Sequence, residues 1–162
     1  MSTRNGMSLF CPLTRANASA LLLLTLSGAI IVLAACGGDE SKPVNVSLRE
    51  WSISVEPRQA QPGRIEFKAS NEGTEPHEFV VIKTDLSPSS LPVVDGKVDE
   101  EKIEIVDEIE PFAAGSSEKK ILELKAGNYV LICNIVERVP GQPVESHYEL
   151  GMRTSFVVTS KP

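Results

Sequence analysis

Apolar and polar residues alternate in short runs along much of this 162-residue chain, and a period of two is the signature of half-buried β-strands. Val44, Val46 and Leu48 alternate with Asn45, Ser47 and Arg49. After Glu50 the apolar parity changes to Trp51, Ile53 and Val55, which predicts a bulge or a crossing between sheets inside one strand. Residues 57–63, rich in Pro and Gly, read as a turn. Ile65, Phe67 and Ala69 resume the alternation. Residues 71–76 carry loop chemistry and lead into Phe79-Val80-Val81-Ile82, a strand apolar on both faces with His77 at its mouth, just after Pro76.

Residues 85–115 are less regular. Pro88 and Pro92 mark irregular backbone, and the pattern accommodates a short helix at 98–104 or a strand at 103–106. Seven acids stand against Lys102 between Asp99 and Glu110, which reads as a solvated face. From Ser117 the strand period returns, with Leu122 and Leu124 inward. Ala126-Gly127-Asn128 is a tight turn. Tyr129, Leu131 and Cys133 then share one face while Val130 and Ile132 fill the other, as in a central strand covered on both sides. A strand at 153–159 closes the pattern. With no long amphipathic helix and no repeat, the prediction is all-β: a Greek-key sandwich or barrel.

The amino-terminal 36 residues stand outside this pattern. They carry Arg4 and Arg15, no acid, and an apolar run from Leu21 to Ala35, which reads as an export signal rather than a full membrane span. Its end, Leu33-Ala34-Ala35-Cys36, resembles a bacterial lipobox. That resemblance implies lipidation of Cys36 and a place in the bacterial cell envelope, anchored to a membrane and facing periplasm or exterior. Residues 37–43 are small and polar, a flexible tether, and residues 44–160 are the size of one domain.

Removing the leader changes two counts. Arg4 and Arg15 leave with it, so 14 basic residues face 22 acidic ones, a formal charge of −8 against −6 for the whole chain. That excludes a basic nucleic-acid footprint and suits either a soluble surface or a basic partner. Of three cysteines, Cys11 leaves with the signal and Cys36 takes lipid, so Cys133 is the one thiol of the domain and has no internal disulfide partner. It is an inert core residue, half of an intermolecular pair, or a metal ligand.

His77 and His147 are the two histidines of the chain. With Cys133 and Met152 they make two imidazoles, a thiol and a thioether, the donor types of a blue-copper site. Their setting resembles the cupredoxin family over about residues 44–159. Asn71-Glu72-Gly73 precedes His77, Gly127-Asn128-Tyr129 precedes Cys133, and His147 and Gly151-Met152 follow on the next loop. The resemblance implies a cupredoxin-like fold with His77, Cys133, His147 and Met152 holding one type 1 copper, and a monomeric, non-enzymatic carrier of single electrons. It also implies a redox protein docking near the exposed edge of His147, flanked by Tyr148 and Leu150. Two other readings use the same chain: a copper storage or delivery module with the same ligands, and a metal-free adhesion or assembly domain.

Two departures from the family pattern bear on the site. Thirteen residues separate Cys133 from His147, more than the family's loop, and the extra length forms a lid or partner surface or else keeps the site open. Glu78 stands where many members carry asparagine. It either bonds the Cys133 loop, with Asn134 as a neighbouring outer residue, or offers copper an oxygen.

Overall fold

The computed structural model describes residues 43–160. The expected leader, Cys36 and the expected tether up to residue 42 lie outside the described residues. Thirteen strands follow in order: β1 (Val44–Arg49), β2 (Ser52–Glu56), β3 (Gln59–Ala60), β4 (Gly63–Asn71), β5 (His77–Lys83), β6 (Val93–Val94), β7 (Lys97–Val98), β8 (Glu104–Phe112), β9 (Ser117–Leu124), β10 (Gly127–Ile132), β11 (Val136–Glu137), β12 (Glu145–Ser146) and β13 (Arg153–Val158). A 3-10 turn, Glu100–Lys102, precedes β8, and a one-turn helix, α1 (His147–Leu150), precedes β13.

One sheet has the order β2-β1-β4-β9 and the other β3-β13-β10-β5-β8. Both are mixed: β1 runs parallel to β4 and β13 parallel to β3, while the remaining pairs are antiparallel. Val44, Val46 and Leu48, then Ile65, Phe67 and Ala69, then Tyr129, Leu131 and Cys133 supply the apolar layer between the sheets. Phe67 lies at its centre, with ring centroids 5.4 Å from both Phe79 and Phe156. The expectation of a two-sided central strand holds: Val130 and Ile132 point to a second apolar cluster with Val80, Ile82, Leu91, Val98 and Tyr148. The fold is an all-β sandwich of two mixed sheets.

The pattern misled in two places. The parity change at Glu50 is a chain reversal and not a bulge or a crossing, since β1 and β2 pair antiparallel with Arg49 opposite Ser52. Two residues, Glu50 and Trp51, make the reversal and so shift the parity of the next strand. Residues 57–63, expected as a turn alone, also contain β3, which extends the second sheet beside β13.

The irregular stretch resolves into both expected forms. The acidic residues Glu100 and Glu101 open the 3-10 turn, and the Asp99 side chain accepts the Glu101 N–H (Glu101 N to Asp99 Oδ1, 3.2 Å). The strand is β8, longer than expected, and it forms the edge beside β5. Asp107 on this edge pairs with Lys120 at 2.7 Å.

Candidate metal centre

Three of the four sulfur- and nitrogen-bearing residues sit at strand ends. His77 opens β5, Cys133 directly follows β10, and Met152 directly precedes β13. Because β10 and β13 are paired, Cys133 N–H donates to the Met152 carbonyl at 3.1 Å, which holds those two residues side by side. The β5–β8 register shifts between His77 and Phe79, an irregularity of the kind that re-aims a side chain next to a site.

The loop before His77 is fixed from within. Asn71 Nδ2 donates to the carbonyls of Glu75 (2.8 Å) and Phe112 (3.0 Å), and its Oδ1 accepts from Gly73 N–H at 3.0 Å. Gly73 is required by closeness: a Cβ there would lie 2.8 Å from His77 Nε2 and closer still to Glu50 Oε1. The sequence's Asn-x-Gly signal thus has a physical cause, an asparagine tying a turn whose glycine lets the ring pass.

His147 arrives by a different route. The spacer after Cys133 folds on itself, with Val136 opposite Ser146 and Glu137 opposite Glu145, and His147 N–H donates to the Ile135 carbonyl at 3.0 Å. The hairpin therefore removes most of the added length from the path between the two residues. Ser146 caps α1 by accepting Glu149 N–H at 3.2 Å. Gly151, at φ +132°, ends the turn, and Met152 N–H returns to the His147 carbonyl at 2.9 Å.

At the convergence, His77 Nδ1 faces His147 Nδ1 at 3.3 Å and Cys133 Sγ lies 3.4 Å from His147 Nδ1. Ligand atoms of His77, Cys133 and His147 all lie within 4.8 Å of one another. These three residues and Met152 are fully buried. An ion bound at ~2.0 Å to nitrogen and ~2.3 Å to sulfur in tetrahedral geometry would hold nitrogens ~3.3 Å apart and nitrogen and sulfur ~3.5 Å apart. The observed spacings match these edges. Two imidazole nitrogens turned toward each other and toward a sulfur, in a buried setting, are the arrangement a soft-ligand metal stabilises, and the His77, Cys133, His147, Met152 set suits copper.

The protonation states agree. Burial lowers both imidazoles from their ordinary range, and the neighbouring His77 lowers His147 further, so each ring is neutral with a lone pair to give. Burial pushes the Cys133 thiol up to about 12, although the Glu78 backbone N–H (3.4 Å from Sγ) works against it. Metal binding must displace that proton.

Glu78 takes the first of its two expected roles. Its Oε1 accepts Asn134 N–H at 2.6 Å while its own N–H faces Cys133 Sγ, so it ties the His77 strand to the Cys133 loop. Desolvation raises its carboxyl. Asn134 continues the tie outward: Oδ1 accepts Val98 N–H at 2.7 Å, and Nδ2 donates to the Val98 carbonyl at 3.1 Å and to Glu100 Oε1 at 2.9 Å. Among the described residues Glu78 belongs to neither grouping able to hold a metal, the second being Glu75, Glu137 and His147.

Two contributors were not visible in the sequence. Glu50 Oε1 accepts the N–H groups of Thr74 (2.6 Å) and Glu75 (3.0 Å) and stands 3.4 Å from His77 Nε2. The Thr74 N–H above all, helped by Glu50's own backbone N–H, draws its carboxyl down to about 2. Trp51 places its ring edge-on to His147, centroids 5.1 Å apart at 71°. Both come from the β1–β2 reversal, which no local motif near the histidines announces.

The expected flanks of His147 differ from the structure. The His147 ring is 0% exposed and Tyr148 is buried, its hydroxyl donating to the Pro88 carbonyl at 2.7 Å and accepting Leu91 N–H at 3.2 Å. Leu150 is exposed, along with Val139 and Val144 of the folded spacer.

No family model and no curated protein matches the chain. Solved structures similar to it include an auracyanin of the photosynthetic bacterium Roseiflexus castenholzii, 16% identical, covering 72% of this chain and 95% of that one at a TM-score of 0.48. Auracyanin A of Chloroflexus aurantiacus, described as a "blue" copper protein, is 16% identical over 73% of this chain and 100% of its own, at 0.45. Rusticyanin of Thiobacillus ferrooxidans is 18% identical over 72% and 75%, at 0.44. Two mixed sheets, with buried imidazole, thiol and thioether residues gathered where strands β5, β10 and β13 end or begin, are the arrangement that the sequence's resemblance to the cupredoxins implies.

Proposed function

We propose that this chain is a lipid-anchored type 1 copper protein that carries single electrons outside the cytoplasm. The observation that carries the reading is the pair of Nδ1 atoms facing each other at 3.3 Å beside a sulfur at 3.4 Å. Copper bound there would supply a one-electron couple, Cu(I)/Cu(II). The chain's part is to hold the donors still: strand ends fix His77, Cys133 and Met152, and the hairpin base fixes His147. Donors held in that way change little between oxidation states, which favours fast transfer.

Burial of every donor favours retention of the metal over the exchange that storage or delivery requires. A buried thiol held near 12 is also a poor nucleophile, which supports a carrier over an enzyme. Lipidation at Cys36 rests on the Leu-Ala-Ala-Cys sequence. With the His147 ring covered, a redox partner would meet the surface above it, where Leu150, Val139 and Val144 are exposed. The acidic balance of the domain suits a basic partner.

The test is the absorption and electron paramagnetic resonance spectrum of the full chain with Cu(II), beside Cys133→Ser. The wild type should show strong thiolate-to-copper absorption in the visible, and the substitution should abolish it. A colourless wild-type complex, or colour that survives the loss of the sulfur, would overturn the reading.

A further inference from the structure

His147 has a second edge. While its Nδ1 faces Cys133 and His77, its Nε2 is buried without a hydrogen-bond partner. The other metal-capable grouping among the described residues is Glu75, Glu137 and this same histidine, with one ligand atom from each lying within 4.8 Å of the others. Glu75 Oε2 is likewise buried and unpartnered. Glu145, Glu137 and Glu50 all bring like charge close to Glu75.

We propose that Glu75, Glu137 and the Nε2 edge of His147 form a second cation site, for a divalent ion of the zinc type. Two carboxylates and an imidazole are a donor set such ions accept, at ~2.0–2.2 Å. Closing the three donors to tetrahedral spacing needs ~3.3–3.5 Å between them, a contraction that the long carboxylate side chains can make. One ion satisfies both orphaned atoms and relieves the crowding of carboxylates around Glu75.

The sharing of His147 sets a rule. A neutral imidazole has one lone pair and one N–H. An ion on Nε2 holds the proton on Nδ1, the wrong tautomer for a metal beside Cys133, so occupation of either site weakens the other by the same factor. The Glu75 site itself stands whether or not copper binds at Cys133; the antagonism rests on the copper reading.

Cobalt(II) is the probe, because a thiolate ligand gives it an intense charge-transfer band that oxygen and nitrogen ligands do not. The full chain carrying Cys133→Ser should bind one Co(II) with weak d–d bands alone. Adding Glu75→Gln and Glu137→Gln should weaken that binding tenfold or more. Glu145→Gln, which removes an equal nearby charge but no ligand, should change it less than threefold. Circular dichroism and a urea midpoint verify that each variant is folded. Failure of the Cys133→Ser chain to bind cobalt, or binding unchanged by the Glu75 and Glu137 substitutions, would overturn the proposal. Failure of the copper reading appears separately, as a colourless Cu(II) complex of the unsubstituted chain.

Discussion

Glu50 makes the sharpest test of how the ligand loop is held. In Glu50→Gln the side chain keeps its size and one carbonyl acceptor but loses the charge that takes up Thr74 and Glu75 N–H at 2.6 and 3.0 Å. The fall of its carboxyl from 4.5 to about 2 sets, at ~1.4 kcal/mol per pH unit, a ceiling of ~3 kcal/mol on its contribution. The side chain is 25% exposed, and solvent screening reduces the expected loss to ~1–2 kcal/mol. The sign follows from the depressed value: the contribution is complete above pH 4.5 and disappears as pH falls toward 2. Urea midpoints of the copper-free wild type and Glu50→Gln should therefore differ at pH 7 and converge between pH 4.5 and 2, with other groups cancelling in the difference. Because the carboxylate also faces His77 Nε2 at 3.4 Å, the substitution should weaken copper binding by ~10-fold, the lower end for an outer partner of a ligand imidazole. Equal midpoints at pH 7, or a gap that persists unchanged in acid, would refute the account of Glu50 as a charged clamp.

Two further outcomes follow from the geometry. Gly151→Ala should destabilise the domain by ~1–3 kcal/mol in urea unfolding, because φ is +132° and a Cβ would stand 2.7 Å from the Trp51 carbonyl oxygen. Copper uptake should release about one proton per ion at pH 8, read by an indicator dye in weak buffer, since the Cys133 thiol titrates near 12 while both imidazoles are already neutral. Apparent affinity should then fall about tenfold for each pH unit of acidification in that range, and an affinity flat with pH would exclude the thiolate as ligand.

Where a strand buries one face, side-chain alternation and contact agree, and the sequence was legible there. Val44, Val46 and Leu48, Ile65, Phe67 and Ala69, and the split of Tyr129, Leu131 and Cys133 from Val130 and Ile132, all follow from the period of two. The same rule failed at Glu50, because a two-residue reversal and a bulge give the same parity change along the chain; only the pairing of β1 with β2 distinguishes them. The spacer after Cys133 misled in length for a related reason. Its thirteen residues measure contour, while the pairing of Val136 with Ser146 sets the distance that chemistry needs.

The order of His77, Cys133, His147 and Met152, and the turns that present them, were written in the sequence, because each local motif serves its own ligand. Which nitrogen of each ring turns inward, that His147 is covered, and that Glu50, Trp51, Glu75 and Glu137 surround the two histidines were decided by tertiary structure. Those neighbours are brought in by strand pairing between distant segments, and a sheet assembled from separated strands gives adjacent residues no nearness in sequence.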